Sequence, residues 1–164
     1  MRLVLALVCA SISFCSLSQA STYLYPSTSL RWNEVVCHID GGVVRAGNKM
    51  RGEILFTVDD SRIFSGYSTS TFNIAYTVRE GRLYIGDSYF TDAITYNFEH
   101  GVIYLGDSNF PLDIAYTIRL DKTRQDVINV FREDSISPFD IVASLQGHPS
   151  HTELFALLLT AGLL

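Results

Sequence analysis

Residues 74–93, IAYTVREGRLYIGDSYFTDA, run without a gap into residues 94–113, ITYNFEHGVIYLGDSNFPLD. A half copy, IAYTIR, begins at Ile114, and a weaker one, ILFTVDDSRIFSGYSTSTFN, fills 54–73. Residues 34–53 keep Asp40-Gly41 and Val43-Val44 at the same phase. A twenty-residue unit is too small to bury a core alone. The chain must therefore form a tandem array in which each unit is completed by its neighbours.

Inside a unit the apolar period is two, the signature of strands. Ile74, Tyr76 and Val78 alternate with Ala75 and Thr77, and Leu83, Tyr84 and Ile85 follow after Arg79 to Arg82. Asp40-Gly41, Glu80-Gly81 and His100-Gly101 lie between the two strands, where glycine supplies the positive φ of a tight turn. A two-residue turn at Glu80-Gly81 pairs Arg79 with Arg82, Val78 with Leu83, Thr77 with Tyr84 and Tyr76 with Ile85. Paired residues share a face, so Tyr76, Val78, Leu83 and Ile85 make one apolar side and Thr77 with Tyr84 the other. The next unit repeats this with Tyr96, Phe98, Ile103 and Leu105 against Asn97 and Tyr104.

The expected fold class is all-β: tandem twenty-residue hairpins in a closed or ring-like antiparallel array, ending in a short α-helix. A β-solenoid with one coil per repeat is the rival. Between hairpins, Gly86-Asp87-Ser88 and Gly106-Asp107-Ser108 read as turns, because Asp and Ser accept hydrogen bonds from nearby backbone N–H groups. Asp134 to Ile141 repeats Asp107 to Ile114 at an offset of 27, which marks an insertion near 121–127. Ser150 and Glu153 have capping-box spacing, and the apolar helix they open should pack on the sheet and cover a face or edge.

The organisation is therefore a signal peptide at 1–20, an extended lead-in at 21–33 and a repeat region at 34–120. An insertion at 121–133 and a last β segment with the capping helix at 134–164 complete one domain spanning 34–164. Arg2, the apolar run Leu3 to Ala10 and Ser18-Gln19-Ala20 form a secretory signal with cleavage after Ala20. Cleavage leaves 144 residues with 11 basic and 17 acidic side chains, and Cys37 as the remaining cysteine. That acidic balance, without a Lys/Arg cluster, argues against nucleic acid, and the lack of a second long apolar run against stable membrane insertion. The expected location is periplasmic or extracellular.

The units resemble uncharacterised, mostly bacterial repeat proteins built on Ile-x-Tyr-Thr-Ile-x-x-Gly-x-Ile-Tyr-x-Gly-x-Ser. The likeness rests on Gly81, Leu83, Tyr84, Gly86 and Ser88, on Gly101, Ile103, Tyr104, Gly106 and Ser108, and on Asp113-Ile114. It extends to the Asp140-Ile141 strand, Gly147-His148 and the Ser150 to Phe155 helix start, covering about residues 54–160. The resemblance implies a repeat fold and brings no established activity with it.

For function, Phe64, Tyr84 and Tyr104 would stack along the face opposite the aliphatic core, beside Thr57, Thr77 and Asn97. An aromatic row edged by small polar groups can bind sugar rings, and ordinary cross-strand packing selects the same residues. The candidate ligand-binding set is thus Phe64, Tyr84, Tyr104, Thr77 and Asn97. His148 and His151 are interrupted by Pro149, and Asp87, Asp107 and Asp134 are single carboxylates in turns, so no metal and no cofactor is expected. Cys37, aligned with Thr57 and Thr77, is read as a strand residue. No nucleophile elbow, metalloprotease motif or phosphate loop is present. The expectation is a non-catalytic binding or interaction module with a protein or glycan partner. The alternatives are a small hydrolase of an envelope polymer using His100 or His148 with a repeated aspartate, and a structural or inhibitor-like protein that binds another protein.

Overall fold

The pairing expected from a Glu80-Gly81 turn is the pairing found: Arg79 opposes Arg82, Val78 Leu83, Thr77 Tyr84 and Tyr76 Ile85. The next hairpin repeats it, with Phe98 opposite Ile103, Asn97 opposite Tyr104 and Tyr96 opposite Leu105. Glu80 and His100 carry φ of 49° and 51°, and Gly81 and Gly101 carry 79° and 81°. Positive φ at both central residues gives the backbone twist that keeps paired strands together.

The computed structural model describes residues 20–164. Its strands are β1 (Thr22–Pro26), β2 (Cys37–Asp40), β3 (Val43–Ala46), β4 (Ile54–Asp59), β5 (Arg62–Ser65) and β6 (Ile74–Arg79). They continue as β7 (Arg82–Ile85), β8 (Ile94–Glu99), β9 (Val102–Leu105), β10 (Ile114–Leu120), β11 (Val127–Arg132) and β12 (Ile141–Gln146), followed by helix α1 (His151–Thr160). Each strand pairs antiparallel with its sequence neighbour, and β1 pairs with β12, closing a barrel. The ring therefore holds six hairpins, the sixth assembled from the two ends of the described chain. The turns of the continuous hairpins open at one end of the barrel, and the connections between hairpins lie at the other.

A bulge interrupts the ladder at five of the six junctions between hairpins, as between Ile74 and Tyr76 or Ile94 and Tyr96, whereas β1 and β2 pair in unbroken register. At every junction a carbonyl accepts a bond from the first residue of a connection: Gly47 to Val36 just before β2, and, at the bulged residues, Gly66 to Leu55, Gly86 to Ala75, Gly106 to Thr95, Glu133 to Ala115 and Ser27 to Val142. All six of those donors have positive φ. The sharp reversal recurs at every hairpin, whether or not the residue is glycine.

A twelve-stranded barrel is too wide for its own side chains to fill, and α1 occupies the lumen. Leu154 to Leu158 are all buried, together with Leu24, Val44, Ile63, Leu83, Ile103, Val130 and Leu145 from around the wall. A helix that is apolar on every side belongs in an interior. Its orientation follows from its contacts. His151 meets the Phe98 ring edge-on at 4.9 Å near the turn end, whereas the Tyr116 hydroxyl donates to Leu163 O at 2.7 Å near the connection end. The Ser150–Glu153 capping box is formed.

Several expectations need correcting. The helix threads the barrel rather than covering an edge, because a closed sheet has none. Residues 21–33 contain β1, the strand that closes the ring. The insertion is a loop over 121–126; residues 127–132 are strand β11. In the first hairpin the turn is Gly41-Gly42, with Asp40 opposite Val43. That is one residue later than Asp40-Gly41, and a slip of one residue exchanges the faces of a strand. His38 therefore takes the place aligned with Thr57, and Cys37 faces inward with its Sγ 3.8 Å from Leu157 O. Burial pushes the thiol up to about 12. The signal peptide lies outside the described residues except at Ala20.

Candidate functional site

Thr77 is fully buried, and its Oγ1 donates to Gly86 O at 2.7 Å. Thr57 does the same to Gly66 O, Thr117 to Glu133 O and Ser144 to Ser27 O, and His38 Nδ1 lies 2.7 Å from Gly47 O. Asn97, also buried, reaches Ser108 O with its Nδ2. Each hairpin thus uses one polar side chain to pin the start of a connection against the outside of the barrel. Two of the five predicted ligand-binding residues, Thr77 and Asn97, spend their polar atoms in this way. Phe64, opposite Thr57, is 3% exposed. Tyr84 and Tyr104 keep partial exposure, so sugar stacking on this face would rest on those two rings.

The repeated aspartates also have assigned work. Asp107 Oδ1 accepts from Arg82 Nε at 2.6 Å, while Asp87 faces Arg62 at 3.6 Å and Arg79 at 3.9 Å. Hydrogen bonding to Asp107 raises the Arg82 guanidinium above its ordinary value. These pairs tie the connections after β7 and β9 back to earlier strands of the wall, β5 to β7. Ser88, Ser108 and Ser135 accept from the backbone N–H two residues on, as their turn chemistry predicts. Ser29, Ser68, Ser108 and Ser135 are further clipped to Glu34, Asn73, Asp113 and Asp140, each five residues ahead.

Beyond these clips, every connection from β3 onward presents large apolar side chains to solvent. Met50, Tyr67, Phe90, Phe110 and Ile136 are well exposed, and Phe72, Leu112 and Phe139 are 97%, 98% and 97% exposed. Phe72, Leu112 and Phe139 occupy equivalent places in short 3-10 turns. Exposed apolar side chains gathered at one end of a scaffold offer a surface on which a partner can dock. Sequence reasoning passed over them because they fall outside strand alternation. The available signal was an aromatic or leucine recurring inside an otherwise polar turn.

A family model described as 6-fold beta flower protein matches residues 24–148, most of the chain. The chain belongs to the 6-fold beta flower family. The six hairpins around α1 are then its petals, with β12 and β1 forming the sixth. No curated protein and no solved structure matches it. His100 stands at an exposed petal turn beside Glu99, and His148 in the exposed loop before α1. Among the described residues no group of three or more His, Cys, Asp or Glu could hold a metal ion.

The fifth petal departs from the others. Its two-residue turn is replaced by residues 121–126, organised around Asp121, whose Oδ1 accepts from Thr123 N, Thr123 Oγ1 and Arg124 N. Its Oδ2 accepts from Asn129 Nδ2 at 3.1 Å and faces Arg124 at 3.6 Å. The bonds from Thr123, then Asn129 and Arg124, hold the carboxyl well below the usual carboxylate range.

Proposed function

We propose that this beta flower is an exported, non-catalytic interaction module of the cell envelope or extracellular space, docking a protein partner through the apolar side chains of its inter-petal connections. The observation that carries this reading is the near-complete exposure of Phe72, Leu112 and Phe139 at one end of a closed scaffold. Apolar side chains held in fixed places contribute to binding without a large ordering cost.

The outward positions of the petals support a water-facing wall. They carry Arg62, Arg79 and Arg82 paired with Asp87 and Asp107, where a membrane barrel needs an apolar band. Strands of four to seven residues are also shorter than the roughly nine that span a bilayer. Export rests on the signal-peptide pattern of residues 1–20, and the twenty-residue motif of the middle petals would be the repeat by which the family builds its ring.

The test is site-specific photo-crosslinking in secreting cells, with the reactive side chain at Phe72, Leu112 or Phe139 and, as controls, at Glu80 and His100. A discrete adduct of one mass from the first three positions and none from the turn positions is the expected result. Adducts in equal yield from both ends, or none above background, would overturn it. Amino-terminal sequencing of the secreted protein should begin at Ser21.

A further inference from the structure

We propose that the outer cavity of the fifth petal is a binding site for a single-chain fatty carboxylate. This goes beyond the docking role of the connections and does not depend on it. The cavity, about 380 Å³, lies where the 121–126 loop, β11 and the β11–β12 connection meet. That volume falls in the range of small-molecule sites.

Its apolar side is lined by Phe131, Pro138 and Ile141, with Phe131 itself 7% exposed at the base, and Ile136, 62% exposed, stands at the rim. Phe131 opposes Thr117 in the register at which Tyr84 opposes Thr77 and Tyr104 opposes Asn97. It is thus the fifth petal's member of the aromatic row, and here the row borders a cavity.

Around the cavity stand Arg119, Lys122 and Arg124, against a single carboxylate, Asp121. Both Asp121 oxygens are taken, by Thr123 and Arg124 of the loop and by Asn129 of β11. Arg119 and Lys122 are exposed and make no ion pair among the described residues. On a chain of formal net charge −5, this is a local excess of positive charge.

The two chemistries together select the ligand. A small inorganic anion would satisfy the cations and leave the apolar side wet. A fatty amine would cover the apolar side and meet like charge. An aliphatic chain ending in a carboxylate buries apolar surface against Phe131 and Ile136 and places its anion between Arg119 and Lys122. The other petals lack the site because their two-residue turns supply no such wall.

The experiment is titration calorimetry of the purified protein with decanoate, decylammonium and acetate, each below any micelle-forming concentration. Decanoate is expected to bind one to one in the micromolar range, with acetate and decylammonium at least about tenfold weaker. Arg119→Ala with Lys122→Ala should weaken decanoate about tenfold or more. Lys122→Glu changes one exposed side chain and should act in the same direction without threatening the fold. Ile136→Trp should abolish binding by filling the cavity, with the far-ultraviolet dichroism and the unfolding midpoint retained. Absence of decanoate binding, equal binding of decylammonium or acetate, or parental affinity in Lys122→Glu would each overturn the proposal.

Discussion

Gly81 shows why the turn glycines recur. A Cβ there would stand 2.5 Å from Phe98 O, and the equivalent atom at Gly42 would stand 2.6 Å from Val58 O. In both cases the glycine carbonyl also accepts a hydrogen bond from that next-petal residue. The position is closed by backbone from outside the hairpin as well as by its φ. Gly86 shares the positive φ of 65° but has open space where a Cβ would go. Gly86→Ala is therefore expected to cost about 1–2 kcal/mol for the left-handed backbone alone, and Gly81→Ala a further ~1–3 kcal/mol from the clash. Urea unfolding of the two variants measures the difference; equal midpoints would show that the next petal simply moves aside. Thr77 and Asn97 teach a related lesson. A small polar residue opposite an aromatic looks like the edge of a sugar site, yet each is the pin of a connection. The sequence displays which residue is polar and not which carbonyl lies 2.7 Å from it.

At the scale of elements, the strand pairs and the capped helix were legible because their determinants are local: alternation, turn residues and the Ser150–Glu153 spacing. The 121–126 loop was legible only as a break in phase. Its internal order comes from Asp121, and this gives it a pH dependence. The folded carboxyl titrates below its unfolded value of about 3.9. Its contribution is thus fully present above that value and is lost as pH falls through the folded one. Carbon-detected titration should place the Asp121 midpoint clearly below that of an unfolded aspartate. Asp121→Asn should lower stability at neutral pH and flatten its dependence on acid between the two values. A normal Asp121 midpoint would mean that the loop bonds do not persist in solution.

The whole molecule differs from an open repeat array in one decisive contact, the pairing of β1 with β12. An open array can fray repeat by repeat. Here every petal has two neighbours, and α1 touches the wall through Leu154 to Leu158. Heat unfolding is expected as one transition, with calorimetric and van't Hoff enthalpies in agreement. Leu24→Ala in β1 should lower the midpoint as reported by Tyr84 in the opposite petal and Tyr104 in the one beside that as much as by Trp32 next to β1. Separate transitions for these probes would show petals melting independently.

By itself the sequence determined the repeat length, the hairpin register of the middle petals and the presence of a capped apolar helix. Each is encoded by residues within a few positions of one another. Only the tertiary structure decided that the ring closes, that the helix fills its lumen and that Cys37 rather than His38 faces that helix. It also decided which aromatics are spent on the wall and which meet solvent. Those outcomes depend on the summed twist and width of twelve strands and on contacts between residues more than a hundred positions apart, such as Tyr23 with Gln146 and Cys37 with Leu157.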